Sequence, residues 1–536
     1  MLFLTMTNKQ ISKTFGFYSK LLDIHGEAKK AKMWSSISVQ VDRLSSALDS
    51  MTAEEIQGVA SLGKSSAQAI IELCSKHTFS ALESLKNETP NGILEMVGIR
   101  GIGPKKIGRM WQELKIDNVS QLIESCKQNK LIELKGFAKK SQASILEKAQ
   151  FFESNRHKLL WAQAEEIIPF ILDSLKEVYP ESNVQIVGDY FLQKGVVEKV
   201  ELVIGQADLS ALDAAQGWER LDGSSFLFQS TCKILLHQAD PSEVFELGFS
   251  EELREEARIN EKELEGFPNF LRDNKEAMNL HLKGELPKII QADDIQGIVH
   301  NHSTYSDGAN SVREMAMACI ERGMEYFVIS DHSKTSFYAN GLHEREIIQQ
   351  HAEIDALNEE LYPFRIFKSI ECDILGDGSL DYDDDILASF DLVICSIHQN
   401  LEMTLDKAMH RLLSAVENPF TNILGHPTGR LLLSRKAYPV DHTALIDACA
   451  ENEVVIELNA NPHRLDMDAD FLDYALKKNV VISINPDAHS ISQIDYTRYG
   501  VQVAQRAMWP SSMNLSSFSL EEFEEYLIEQ HAKRPV

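Results

Sequence analysis

Gly297-Ile298-Val299-His300-Asn301-His302 is a short apolar run that ends in a His-x-His pair. On an extended strand side chains alternate faces, so His300 and His302 are expected to point the same way and grip one cation. Five residues on comes Asp307. The arrangement then recurs. The run 326–329 leads into Asp331 and His332, 366–370 into Glu371, 392–397 into His398, and 422–425 into His426. The run 480–484 leads to Asp487 and His489, and 454–458 supplies a seventh strand. Between these runs lie amphipathic stretches at 311–322, 342–361, 405–417, 443–451 and 469–478. Strands alternating with helices, with polar groups at the carboxyl ends of the strands, predict a β/α barrel whose site lies at that mouth.

The ligand types there are nitrogen and oxygen without cysteine, which suits Zn, Mn or Fe rather than a structural thiolate site. Nine candidates (His300, His302, Asp307, His332, Glu371, His398, His426, Asp487 and His489) are too many for one ion and match two or three that share carboxylate bridges. Such clusters activate water and clamp phosphoryl oxygens. One buried histidine alone is more often a hydrogen-bonded core residue. Histidines that close strand after strand are not explained that way.

The blocks His300-Asn301-His302, Asp331-His332-Ser333, Glu371, Ser396-Ile397-His398, Gly425-His426-Pro427 and Asp487-Ala488-His489 resemble the motif series of the PHP (polymerase and histidinol phosphatase) phosphoesterases. Thr304-Tyr305-Ser306-Asp307-Gly308, Gly425-His426-Pro427-Thr428-Gly429-Arg430 and Asn459-Ala460-Asn461-Pro462 resemble the version fused to bacterial family X DNA polymerases, a resemblance that extends over essentially the whole chain. It implies that His300, His302, Glu371 and Asp487 hold one ion. Glu371 would bridge to a second held by His398 and His426, and Asp307, His332 and His489 would hold a third. The implied chemistry is metal-assisted phosphodiester hydrolysis by a water made acidic by the cations, with Glu371 and Asp487 at its centre. Arg430 and Arg435, just past the His426 strand, are expected as phosphate clamps, because guanidinium forks match phosphate oxygens. A surface salt bridge is the plainer alternative for each. Asn459, Asn461 and Arg464 also sit at a strand end and are expected to face substrate.

Composition bounds the rest. A chain of 536 residues is long enough for several domains, each with its own core. Seven scattered cysteines without a C-x-x-C pair argue for a reducing cytosol and no disulfide framework. Met1-Leu2-Phe3-Leu4 is apolar, but Asn8-Lys9-Gln10 follows before a signal-peptide core could form. No apolar run reaches the roughly 20 residues of a membrane span. Net charge is −28, yet residues 1–150 carry 21 Lys and Arg against 15 Asp and Glu, and the remainder 32 against 66. A mildly basic front module can hold a polyanion while the acidic remainder gathers carboxylates around cations.

Residues 1–88 read as helices at 8–25, 33–50, 53–59, 65–76 and 78–87. Gly58-Val59-Ala60-Ser61-Leu62-Gly63-Lys64-Ser65 fits the P-loop letters, but a P-loop needs a buried strand in front. What precedes is Thr52-Ala53-Glu54-Glu55, a capped helix start. The expected structure is a worn helix-hairpin-helix turn that lacks the usual Gly-x-Gly. A fuller copy follows in Gly98-Ile99-Arg100-Gly101-Ile102-Gly103-Pro104-Lys105-Lys106. Glycines let backbone approach a phosphate, the next helix offers free N–H donors, and Lys105, Lys106 and Arg109 add positive charge. This resembles the DNA-binding helix-hairpin-helix, a non-specific backbone reader. Gly136, Lys139 and Lys140 mark a third, weaker copy with Ala138 where glycine is usual. Trp111, Phe151 and Phe152 are expected in the core.

From about 155 the resemblance implies a polymerase palm with strands at 184–188 and 200–204, but the chemistry departs from it. Gly188-Asp189 and Phe191-Leu192 replace the family's Gly-Ser and arginines, and Lys199-Val200-Glu201 replaces its Asp-x-Asp. The third aspartate falls near Lys233. Lysine at two of three metal positions repels divalent cations, so polymerase activity is expected to be lost. The charged run 251–258 reads as a solvated helix face with i,i+4 pairs, and 266–286 as the linker into the barrel.

The fold class expected is therefore multidomain, α with α/β. A helical polymerase-beta-like domain (1–88) and a helix-hairpin-helix domain (89–154) precede a degenerate α+β nucleotidyltransferase-like palm (155–235). A thumb-like segment and linker (236–290) lead to a distorted (β/α)7 PHP barrel (291–536). The expected activity is metal-dependent hydrolysis of DNA, as a 3′-5′ exonuclease or repair nuclease with two or three Mn, Zn or Fe ions. Single-stranded or gapped duplex DNA is the partner, in the cytoplasm, by a monomer. Three rivals remain open at this point: a live gap-filling polymerase with the same exonuclease, a histidinol-phosphatase-like enzyme for small molecules, and a non-catalytic repair scaffold.

Overall fold

Two units divide the chain, Met1–Arg156 and His157–Val536, in a computed structural model that describes residues 6–42, 44, 46–59, 62–240, 243–256 and 260–535. Met1-Leu2-Phe3-Leu4, Ala60 and Ser61 of the Gly-Lys-Ser run, and Ala257 and Arg258 of the charged run lie outside those residues. No helix among the described residues is long and apolar enough to cross a membrane.

The first unit is built from helices, among them Asn8–Ile24, Ala28–Asp42, Ala53–Gly58, Lys64–Lys76 and Ser80–Asn87. Their starts follow from capping: Thr7 with Gln10 and Thr52 with Glu55 each form a reciprocal box. Phe15, Tyr18, Trp34 and Phe79 pack edge-on and stacked at the centre. The Thr52-capped helix stands where a P-loop would need its strand, and Gly63 opens the helix Lys64–Lys76. The Gly-x-Gly turn joins Asn91–Met96 to Pro104–Leu114, with Gly103 at the N-cap and Gly101 at φ +82°, a conformation that favours glycine. The third copy places Gly136 at φ +90° ahead of Lys139–Ser154. Trp111 and Phe152 are half-buried against this core.

In the second unit, Trp161–Val178 covers a five-stranded sheet in which Val200–Val203 lies between Gln185–Val187 and Cys232–His237. Phe226 and Phe228 are buried in the neighbouring strand. The stretch expected as a linker is ordered instead. It carries the helix Lys275–Lys283, because Phe249, Phe267, Leu271, Ala277 and Met278 form an apolar cluster of their own.

Seven parallel strands follow in sequence order: Gly297–Ile298, Tyr326–Ile329, Arg365–Asp373, Leu392–Ser396, Ile423–Leu424, Val455–Asn459 and Ile482–Asn485. All but the exposed start and one half-buried residue of Arg365–Asp373 are buried, as expected for parallel strands covered on both faces. The first and last meet through a single parallel bridge, Asn301 to Ala488, in which the His302 N–H donates to the Ala488 carbonyl at 2.8 Å. The seam that nearly closes the barrel is thus made by the neighbours of His300, His302, Asp487 and His489.

Candidate metal centre

The first strand ends at Ile298, and His300 has φ +61°. Strand alternation therefore does not aim His300 and His302; a left-handed kink at the barrel seam does. His426 (φ +23°) and Asp487 (φ +51°) share this unusual backbone. Strained conformations of this kind persist where surrounding structure over-determines them, commonly at functional sites.

Glu371 lies at the centre of the cluster. His426 Nε2 is 2.8 Å and His398 Nε2 3.1 Å from its Oε1, with His300 Nε2 at 3.3 Å. His332 Nδ1 approaches Oε2 at 2.9 Å and His302 Nε2 at 3.7 Å. Asp487 Oδ1 lies 3.2 Å from His302 Nε2. Asp307 Oδ1 lies 3.4 Å from His489 Nε2 and 3.6 Å from His332 Nε2. All nine sequence-selected side chains thus come together. Three subsets place ligand atoms close enough to share an ion: His302 with Asp307, His332 and His489; His300 with His302 and Asp487; and His332 with Glu371 and His398. Among the described residues every such subset lies in the barrel.

The donor set fits divalent cations on a second count. His300 Nε2, His332 Nδ1 and Glu371 Oε2 are fully buried without a hydrogen bond of proper geometry. Buried polar atoms rarely go unpaired unless something else satisfies them. Charge tells the same story. Burial opposes ionisation of Glu371, yet His398, His300 and His332 hold it well below the usual carboxylate range. Burial also opposes charge on His300, but Glu457, Glu371 and Asp487 raise it well above an ordinary imidazole. His302 is pushed down to about 4 by burial and by His489 and His332. His489 rises to about 9 against its burial, through Asp307 and Asp487. Protons shared among these imidazoles compensate the carboxylates, a task that cations take over on binding as those protons leave.

Two acids that sequence reasoning did not single out hold the ligands in place. Glu457, fully buried, contacts His300 Nδ1 at 2.5 Å and also accepts from the His426 N–H at 2.6 Å and Asn485 Nδ2 at 2.9 Å. Asp373 contacts His398 Nδ1 at 2.7 Å. Both leave the opposite ring nitrogen facing the cluster, the usual orientation device for metal-binding histidine. The sequence did carry a signal: an acid inside an apolar strand with no solvent face. Asp331, next to His332, is enclosed by Ser303, Ser306 and Gln350.

Arg430 donates to Asp468 and to the carbonyls of Arg464 (2.9 Å) and Leu465, and Arg435 donates to the Gly429 carbonyl at 2.6 Å. These bonds tie strand-end loops together. Arg464 places a guanidinium at the cluster, with Nε 3.4 Å from Asp487 Oδ2. Asn459 Nδ2 donates to the same Asp487 oxygen at 3.1 Å, and the Asn461 N–H donates to Asn459 Oδ1 at 3.1 Å.

Elsewhere, Lys105, Lys139 and Lys140 are exposed, and Lys106 is half-buried, around the hairpin glycines Gly98, Gly101, Gly103 and Gly136. Arg109, half-exposed on the same helix as Lys105 and Lys106, pairs with Glu113 at 2.6 Å, donates to the Lys135 carbonyl and lies over the Phe137 ring. In the five-stranded sheet Glu201 pairs with His237 at 2.8 Å and Lys199 at 3.5 Å, Asp189 pairs with Lys194 at 3.0 Å, and Lys233 is exposed.

A family model described as the PHP domain matches residues 299–461. The DNA polymerase/3′-5′ exonuclease PolX of Bacillus subtilis (strain 168) is 32% identical over 535 residues, covering 91% of this chain and 93% of that protein. A probable phosphatase of Caldanaerobacter subterraneus subsp. tengcongensis is 22% identical over 245 residues, 44% of this chain and 91% of its own length. Among solved structures, a histidinol phosphate phosphatase of Lactococcus lactis subsp. lactis Il1403, complexed with zinc, L-histidinol and phosphate, is similar at 18% identity with a TM-score of 0.31, over 39% of this chain and 94% of that one.

Proposed function

The chain belongs to the family of the DNA polymerase/3′-5′ exonuclease PolX, and on that premise we propose that its barrel hydrolyses DNA phosphodiesters, in the 3′ to 5′ direction, while its polymerase chemistry has been lost. The observation that carries this reading is the convergence of nine nitrogen and oxygen ligands on the barrel mouth, with Glu371 at the centre and buried donor atoms left unpaired.

His300, His302, Glu371 and Asp487, then His398 and His426, and then Asp307, His332 and His489 would hold two or three Mn, Zn or Fe ions. Bound cations of this kind supply Lewis-acid stabilisation of phosphoryl oxygens and an acidified water. The chain's own residues do the rest. Glu457 and Asp373 fix the His300 and His398 rings through their Nδ1 atoms. Asn459 and Arg464 hold Asp487 in place, and Arg464 offers a guanidinium fork to a phosphate beside it. Arg430 and Arg435 keep that strand-end loop in shape.

Residues 1–88 and 89–154 are assigned to DNA engagement. Gly98, Gly101 and Gly103 with Lys105, Lys106 and Arg109, and Gly136 with Lys139 and Lys140, take the backbone of single-stranded or gapped duplex DNA. Residues 155–235 act as a palm without a metal pair, 236–290 as a thumb-like segment, and 291–536 as the nuclease; the protein works as a cytoplasmic monomer in DNA repair. The palm reading rests on Glu201, the single acid among the three metal positions, held by His237 and Lys199.

Hydrolysis of end-labelled single-stranded DNA across a panel of Mn, Zn and Fe, with a His302→Ala variant alongside, tests the proposal. Shortening from the 3′ end by the wild type and none by the variant is expected; metal-replete protein inert toward every oligonucleotide would falsify it. A phosphomonoester in the same assay tests the second reading, a small-molecule phosphatase, which the similarity to probable phosphatases favours. Faster turnover of the monoester than of DNA would install that reading instead.

A further inference from the structure

Between the second barrel strand and the helix Glu344–Glu360 runs a loop that carries Phe337 and Tyr338, 78% and 60% exposed. Large aromatic rings usually contribute to cores, so two adjacent ones held in water need a reason. Their rings meet edge-on at 6.3 Å, and the Tyr338 ring centre lies 6.4 Å from that of His332, inside the metal-ligand cluster.

The loop that presents them is firmly built. Ser336 Oγ donates to Asp373 Oδ2 at 2.6 Å and Thr335 Oγ1 donates to the same oxygen at 3.1 Å. The Thr335 N–H donates to Asp381 at 2.7 Å, and the Leu342 N–H to the His332 carbonyl at 2.8 Å. Only glycine fits at 341, where a Cβ would come 1.8 Å from the Ser333 carbonyl oxygen. Asp373 Oδ1 meanwhile holds His398 Nδ1. One carboxylate therefore fixes both a ligand ring and the loop beneath the aromatic pair, so the two keep a set distance.

We propose that Phe337 and Tyr338 are a stacking platform for the unpaired nucleobase next to the phosphodiester being cut. Aromatic faces bind single-stranded nucleic acid by stacking its bases whatever their sequence, and bases must be unpaired to offer their faces. A platform one ligand ring away from the cluster lies within one nucleotide's reach of a phosphate held there. It gives the barrel a preference for single strands over small phosphate esters. This inference rests on the nuclease reading above.

The test uses the metal-replete full chain and two single-stranded oligothymidylates, one with a 3′-terminal thymidine and one ending in a 3′ abasic tetrahydrofuran nucleotide. For Phe337→Ala with Tyr338→Ala, KM on the thymidine-ended strand is expected to rise about tenfold or more, in keeping with the value of a base–aromatic stack. Turnover at saturation and the rate on the abasic strand should stay near wild type, with unchanged metal content. The paired swap Phe337→Tyr with Tyr338→Phe keeps both rings and should restore KM. The proposal is overturned by an unchanged KM, by equal losses on both strands, by a swap that fails to rescue, or by a change in molar mass that shows the pair to be a contact between two copies. Wild-type protein that cuts neither strand removes the nuclease reading itself, and this inference with it.

Discussion

In the five-stranded sheet Glu201, the one acid among the three positions expected to hold polymerase metals, is held by one imidazole and one lysine. In the barrel, Glu371 is surrounded by the rings of His300, His332, His398 and His426. Both sheets belong to one structural unit and both bring side chains to strand ends. The difference is the charge of the company. Imidazole gives up its proton to a cation, so the barrel's counter-charges are exchangeable. A lysine ammonium has no lone pair while protonated and cannot become a ligand, so Lys199, 3.5 Å from Glu201, sets beside it a positive charge that does not exchange for a cation. Retained strand geometry is therefore compatible with lost chemistry. On the reading proposed above, the polymerase-like half keeps its strands without the charge pattern of a metal site, and the barrel keeps both.

The change expected to act most strongly on this contrast is Glu371→Gln. It removes the shared carboxylate and should lower DNA hydrolysis by about 10²–10³-fold, the scale of losing a preorganised charge-stabilising group. Bound metal, read by elemental analysis, should fall with it while the far-ultraviolet dichroism stays intact. Full metal content with near-normal cleavage would show that the barrel's acid is no more essential than the palm's.

A smaller effect is expected one layer out. Glu457→Gln and Asp373→Asn keep the volume of each side chain but weaken its hold on a ligand ring. Each should cost about 10–100-fold in metal affinity or rate, as loss of an orienting partner does. Raising the metal concentration should recover much of the rate for a positioning residue, a rescue not expected for Glu371→Gln.

The same layer shows what the sequence made legible. His332, Glu371, His398 and His426 were visible because each interrupts or ends an apolar run, and the periodicity of strands and helices fixed the barrel class around them. Glu457 lies within such a run between Ile456 and Leu458, and only the pairing of strands shows that it faces His300. His300 reaches the cluster through a kink rather than through the strand alternation that its run suggests. Arg430 and Arg435 looked like phosphate clamps by residue type and position. Their engagement with carbonyls and Asp468 depends on how the loops at 429–435 and 464–468 fold together, which no local pattern encodes. In the segment read as a linker, the ordered helix packs into an apolar cluster whose buried members lie between Phe249 and Ile289.

Effects on DNA affinity should be smaller still and sensitive to salt. Lys105→Ala with Lys106→Ala removes two positive charges from the helix that follows the Gly-x-Gly turn. Each lost phosphate contact should flatten the log–log dependence of binding on salt by roughly 0.9. The catalytic rate at saturating DNA should be unchanged. An unaltered salt slope would move the DNA path away from this hairpin.

The smallest effect is expected from Glu201→Gln, and it bears most directly on the contrast between the two sheets. Wild type should not extend a primer on gapped DNA, and the variant should cleave single-stranded DNA at the wild-type rate. Stability is where Glu201 should register. Burial opposes its ionisation, but the His237 contact and Lys199 hold its carboxyl below the ordinary range. A carboxylate with a depressed folded-state value stabilises the fold above the unfolded value, and that contribution is lost as pH falls through the folded one. Wild type should therefore melt above Glu201→Gln at neutral pH, and the gap should close in acid, where the protonated acid and the amide are nearly equivalent. Primer extension that this substitution abolishes would mean that Glu201 holds a cation despite Lys199. The two sheets would then differ in degree rather than in kind.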